Sequence, residues 1–256
     1  MTFIAWSSVG DKARPTLVLA HSLGCDSSMW RHQIDGLADE FHLLTVDMRG
    51  HGESDAPPGP YSLDALGADL MEVVDLAGVE DFSICGISIG GLIALWAGIH
   101  HPGRVQSLIA ANTAAKVGTA DGWEDRIRAV NEEGMAGIAE RVVGRWFTPG
   151  FASRHPDRWE EAIATFVATD PEGYIGCCHA LAGADLRPDV GSIVAPTLII
   201  GGDADPSTPP SEAQWLHDQI PSSQLEILPN AAHLTNLEHP DLFTQKIEAF
   251  LYLSPT

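Results

Sequence analysis

Five consecutive residues, Gly86-Ile87-Ser88-Ile89-Gly90, have the spacing G-x-S-x-G. They close the apolar run DFSICGI (81–87) and open GLIALWAGIHH (91–101), whose apolar residues recur at helical spacing. A serine on a sharp strand-to-helix turn needs small residues two positions before and two after it, because larger side chains there would collide. Such a turn projects the Ser88 hydroxyl from the end of a sheet into a cleft. Its natural chemistry is attack on an acyl carbon. A neutral hydroxyl attacks poorly, so a histidine base and a carboxylate to orient it must be supplied elsewhere.

On this kind of turn the acid and then the histidine follow the serine along the chain. The chain has eleven histidines, so context must choose among them. His233, in PNAAHLTNLEHP, follows the last expected strand and precedes a C-terminal helix, which puts it on a loop at the sheet's edge. His239 precedes Pro240 and reads as a solvated residue at a helix start. His51, in the tight turn DMRGHGES (47–54), is expected to stabilise a loop near the site. His32, His42, His100, His101, His155, His179 and His217 lie outside any motif, and most read as surface or packing residues. For the acid, IIGGDADPSTPP (199–210) offers Asp203 and Asp205. Asp205, nearer the prolines, is favoured, and Asp203 is expected to cap the turn through its side chain. Asn112, closing VQSLIAAN (105–112), cannot supply a charge. Two backbone amides are expected to hold the oxyanion: Ile89, at a helix N-terminus, and Leu23, in HSLG (21–24) after an early strand.

The elements that must position these residues are legible as short β-rich runs alternating with helical patterns. Beside DFSICGI stand TLVLAH (16–21), HLLTVDM (42–48), VQSLIAAN (105–112), PTLIIGG (196–202) and QLEILP (224–229). Near-continuous apolar strands separated by helices predict an α/β fold, a mostly parallel sheet covered on both faces. DALGADLMEVVDLA (64–77) is one such helix. From about 115 to 190 the alternation stops and the pattern is helical and contains tryptophans, with no good strand. The expected organisation is a core made of residues 1–114 and 191–256, interrupted by a helical cap over 115–190.

Composition excludes several function classes. With 35 acidic against 14 basic residues the formal net charge of the 256-residue chain is −21, which repels phosphate backbones and anionic lipid surfaces. Neither nucleic acid nor a membrane is an expected partner; a small molecule is, and the oligomeric state is left open. The N-terminal residues show neither a signal peptide nor an apolar span, which predicts a cytoplasmic protein. The four cysteines lack metal-ligand spacing and read as free thiols, and no metal is expected.

The stretches SLG, DMRGHGESDAPPGPYSLDALGADL, ANTAAKVGT, RWFTPGF, PEGYIGCCHAL and AAHLTNLEHP, spread over core and cap, resemble the 3-oxoadipate enol-lactonases of the α/β-hydrolase superfamily. Ser22 stands where many relatives carry glycine. The resemblance implies an α/β-hydrolase fold and an enzyme of aromatic catabolism, in the β-ketoadipate pathway. That enzyme opens an enol-lactone with water through a serine acyl-enzyme and needs no cofactor. A general carboxylesterase, a C–C hydrolase or a perhydrolase on the same triad remains an alternative, as does a slowly turning ligand receptor. The implied substrate carries a free carboxylate, which the negative chain does not attract, so a local cation is needed. The basic residues of the cap include Arg126, Arg128, Arg141 and Arg145. Arg145 is the first candidate because a guanidinium pairs bidentately with a carboxylate. Trp123 and Trp146 are candidates for the pocket wall.

Overall fold

The computed structural model describes residues 2–253. The six expected strands are present within two residues of their expected bounds, as β2 (Thr16–Ala20), β3 (His42–Val46), β4 (Phe82–Ile87), β5 (Val105–Ala111), β6 (Thr197–Gly202) and β7 (Ser223–Leu228). Their central residues, among them Leu17, Leu19, Leu43, Ile84 and Ile109, are wholly buried, as continuous apolar strands of a doubly covered parallel sheet must be. A seventh strand, β1 (Trp6–Val9), was not expected. All four of its residues are exposed, so no apolar pattern marks it. It pairs antiparallel with β3 at the sheet's edge, where Ser7 Oγ bonds Thr45 Oγ1 (2.7 Å) and Ser8 Oγ bonds His42 Nε2 (2.8 Å).

The strand order is β1-β3-β2-β4-β5-β6-β7, with every pairing after the first parallel. From β2 the chain turns outward to β3, and from β4 it turns the other way to β5. The crevice beyond the C-terminal ends of β2 and β4 is therefore the topological switch point, where open α/β sheets bind ligands.

Helices α1 (Arg31–Leu37), α2 (Leu63–Leu76) and α3 (Ile89–His100) connect β2 through β5 in turn. Ser62 caps α2, its Oγ accepting from the Ala65 N–H at 3.2 Å. Every residue of α3 from Ile89 through Gly98 is buried, so this helix is apolar all round and runs through the core. Between β5 and β6 the chain forms α4 (Ala120–Val143), α5 (Phe151–Arg154), α6 (Pro156–Ala168) and α7 (Pro171–Gly183), and no strand occurs there among the described residues. α4 is two helical pieces joined at Gly134, whose φ of 71° and ψ of 171° lie outside helical space. Helices α8 (Pro210–Gln219), α9 (Thr235–Glu238) and α10 (Pro240–Leu253) complete the chain. Among the described residues no helix is long and apolar enough to cross a membrane.

Candidate active site

Ser88 sits between β4 and α3 with φ 59° and ψ −118°, a left-handed conformation that costs a non-glycine residue of order 1–3 kcal/mol. The surroundings hold it there. Its N–H donates to Ala111 O (3.0 Å), and its carbonyl accepts from the Leu92 N–H (3.0 Å) and the Thr113 hydroxyl (2.7 Å). The flanking glycines are required by close backbone approach: a Cβ on Gly86 would lie 2.0 Å from Gly90 O, and one on Gly90 would lie 2.1 Å from Ala20 O.

The loop after β6 brings in Asp205, and the loop after β7 brings in His233. His233 Nδ1 lies 2.8 Å from Asp205 Oδ2 with both side chains almost wholly buried. A carboxylate can only accept, which assigns the proton to Nδ1 and leaves the Nε2 lone pair free on the cleft side. The Asp205 carboxylate is saturated with donors. Its Oδ1 accepts from the Ser207 and Thr208 N–H groups (2.7 and 3.1 Å), and its Oδ2 accepts from the Thr208 hydroxyl (2.8 Å) and Asn112 Nδ2 (3.0 Å) as well as from His233. Burial opposes its ionisation, but the His233 charge and these donors outweigh burial and hold the carboxyl below its ordinary range. Asp203 makes no bond to His233; its Oδ1 accepts from the Ala231 N–H at 3.3 Å and ties the two loops together.

Ser88 and His233 line one cleft of about 350 Å3 with Leu23, Trp123, Arg145 and Trp146. No hydrogen bond joins the Ser88 hydroxyl to His233; such contacts commonly tighten only when substrate is bound. Ile89 is the first residue of α3, so its N–H has no acceptor within the helix. Leu23 follows β2, and among the described residues its N–H is not taken by a protein acceptor. Its loop is fastened from below: the Gly24 N–H donates to His51 Nε2 (3.0 Å), and the Met48 N–H donates to His21 Nε2 (2.9 Å). Both imidazoles accept and are neutral. Burial lowers each pKa, that of His51 to about 3 with a further push from His21, whose ring lies 5.3 Å away.

Trp123 and Trp146 both face the cleft, the former fixed by its Nε1 donating to Val117 O (2.7 Å). Arg145 lies at the rim, where Nη2 donates to Pro206 O (2.8 Å). Arg128 and Arg141 are instead paired on the surface with Asp125 (3.0 Å) and Glu133 (2.9 Å). Arg126 faces the cleft and donates to the Tyr174 hydroxyl (2.9 Å). Among the described residues neither Arg126 nor Arg145 has a carboxylate partner.

Two contributors escaped the sequence reading. Asn112 was set aside for lacking charge, yet its amide donates to Asp205 and to Ala232 O (3.0 Å) while its oxygen accepts from the Thr235 hydroxyl (2.6 Å). The available signal was an asparagine closing an apolar strand run, since asparagine tolerates left-handed backbone, which Asn112 adopts with φ 43°. Thr208 carried no signal beyond its place two residues before Pro210. Among the described residues no group of three or more His, Cys, Asp or Glu side chains is placed to hold a metal ion.

The model of the alpha/beta hydrolase fold family matches residues 15–240. The chain is 41% identical to 3-oxoadipate enol-lactonase 2 of Acinetobacter baylyi, over 96% of this chain and 92% of the relative. It is 38% identical to 3-oxoadipate enol-lactonase 1 of the same organism, over 94% and 90%. The crystal structure of the enol-lactonase from Burkholderia xenovorans LB400 superposes with a TM-score of 0.96 at 35% identity, covering 98% of this chain and 97% of that one.

Proposed function

The chain belongs to the 3-oxoadipate enol-lactonase family of α/β-hydrolases, and from that premise we propose that it hydrolyses 3-oxoadipate enol-lactone to 3-oxoadipate through Ser88. It is an enzyme of ester-bond hydrolysis. In the first half-reaction His233 Nε2 takes the hydroxyl proton as Ser88 Oγ attacks the lactone carbonyl carbon. The charge that develops on the carbonyl oxygen falls to the Leu23 and Ile89 N–H groups. Collapse breaks the ring C–O bond, and the enol oxygen leaves with the proton returned by His233. The enol then ketonises, which makes ring opening hard to reverse. In the second half-reaction His233 deprotonates a water that attacks the acyl carbon, and Ser88 departs with that proton. Asp205 holds the imidazole in the required tautomer and stabilises the imidazolium formed in each half.

Residues 115–190 act in this proposal as the cap over the cleft. The observation that carries the substrate class is electrostatic. In a chain of net charge −21, the cleft beside Ser88 holds two guanidinium groups without carboxylate partners, Arg126 and Arg145. Both come from the cap, and they meet a substrate carboxylate where the rest of the surface repels it. A small-molecule substrate and a cytoplasmic setting complete the reading; four cysteines that are all buried and free fit a reducing compartment.

The test compares 3-oxoadipate enol-lactone with an uncharged ester in Arg126→Ala and Arg145→Ala variants. Loss of a charged hydrogen bond is expected to lower kcat/KM for the lactone by roughly 10- to 100-fold in at least one variant, with the neutral ester nearly unaffected. Equal effects on both substrates in both variants would transfer the reading to a general carboxylesterase.

A further inference from the structure

The loop that carries His233 is fastened to the cap by contacts that the reaction itself does not use. The N–H groups of His233 and Leu234 both donate to Trp146 O, at 3.0 and 2.9 Å. Glu238, the last residue of α9, reaches back to the same seam. Its Oε2 accepts from the N–H of Ala232, the residue before His233, at 2.9 Å. Its Oε1 accepts from the Thr148 N–H at 2.9 Å and from the Thr148 hydroxyl. Thr148 is itself held within the cap, its Oγ1 accepting from Arg154 Nη2 (3.1 Å) while Arg154 Nη1 donates to Pro149 O (3.1 Å).

We propose that Glu238 is a positioning residue for the base: its carboxylate bonds the His233 loop to cap residues 146–148, so the seat of the cap sets where His233 stands relative to Ser88. The proposal rests on Ser88 and His233 being nucleophile and base. Glu238 does not touch the substrate cleft; it borders a separate surface hollow with Thr148 and Arg154. A carboxylate suits the seam because both of its oxygens face donors. Glutamine would keep the length but offer one accepting oxygen, turning an amide N–H against either Ala232 or Thr148. At the imidazole, Nδ1 is fixed by Asp205, yet the distance from Nε2 to Ser88 Oγ also depends on the backbone at 232–234, which Glu238 and Trp146 O hold. A displacement of about 1 Å at a reacting group costs on the order of 100-fold in rate.

The experiment measures kcat per active site, with sites counted by complete titration with a serine-reactive fluorophosphonate, on 3-oxoadipate enol-lactone. Glu238→Gln is expected to lower kcat per titrated site by roughly 10- to 100-fold with KM within about threefold of wild type. A residue that only stabilised the fold would reduce the number of titratable sites and leave each one at full rate. Thr148→Val, which deletes one donor and keeps the shape, serves as the second variant and decides the matter if Glu238→Gln does not fold; its expected loss is roughly fivefold. A per-site kcat within twofold of wild type in the variant that decides overturns the proposal. Failure of the wild-type enzyme to be labelled at Ser88 would instead overturn the assignment of the nucleophile.

Discussion

Replacing Asp205 by asparagine tests the orientation of the base through chemistry that the structure specifies atom by atom. The carboxylate receives two backbone N–H groups on Oδ1, and the Thr208 hydroxyl, Asn112 Nδ2 and His233 Nδ1 on Oδ2. Asparagine has one accepting oxygen. With that oxygen left on the two backbone donors, its amide nitrogen faces Asn112 Nδ2 and His233 Nδ1, donor against donor. The imidazole relieves the conflict by moving its proton to Nε2 and accepting at Nδ1, which puts a proton where the Ser88 proton must go. Loss of the correct tautomer, together with loss of the charge that stabilises the imidazolium, is worth on the order of 10³- to 10⁴-fold in kcat, or about 4–5.5 kcal/mol. Asp203→Asn, which alters one long bond to the Ala231 N–H, is expected to change kcat by less than about threefold. The assay is steady-state hydrolysis of 3-oxoadipate enol-lactone by both variants, with circular dichroism to show that each is folded. An Asp205→Asn enzyme within about tenfold of wild type, or a larger loss in Asp203→Asn, would refute the assigned geometry.

The buried imidazoles predict an acid sensitivity of definite sign. His51 is held down to about 3 in the folded protein against an ordinary 6.5, so the unfolded chain takes up this proton first as pH falls. The stability contributed by the neutral ring is complete above about pH 6.5 and is lost as pH drops from there toward 3. The thermal midpoint of wild type should therefore fall between pH 6.5 and 4, and His51→Gln, which keeps an acceptor for the Gly24 N–H but has no proton to gain, should fall less steeply; parallel profiles would contradict the role given to His51. Gly90→Ala places a methyl 2.1 Å from Ala20 O and is expected to prevent folding or lower the midpoint by many degrees, and near-normal stability would show that the turn relaxes at little cost.

The turn at Ser88 was legible because its requirements are steric and local: Gly86 and Gly90 leave no alternative where backbones approach so closely, and the apolar run and helical pattern on either side are long enough to identify. The late histidine and the Asp203–Asp205 loop were legible by chain order. Strand β1 was not, since an edge strand with every residue exposed carries no burial pattern. Asn112 was rightly set aside as the acid, but its part as a hydrogen-bond donor to Asp205 was not looked for. Arg126 was ranked behind Arg145 because which arginine faces the cleft depends on how α4 and the residues after it pack against the sheet's end, a tertiary matter. Glu238 went unnoticed inside NLEHP for the same reason, as its three donors come from residues 148 and 232, brought together only by the fold.

The central claim is that Ser88 is the nucleophile that opens the lactone, and kcat/KM of Ser88→Ala on 3-oxoadipate enol-lactone tests it most directly. Alanine fits the same turn and leaves the Leu23 and Ile89 amides, the cleft and the Asp205–His233 pair in place, so the comparison isolates the hydroxyl. A folded variant whose kcat/KM is at least ~10³-fold below wild type is the expected result, because binding and the oxyanion site alone cannot replace covalent attack. Activity within about tenfold of wild type would contradict the account.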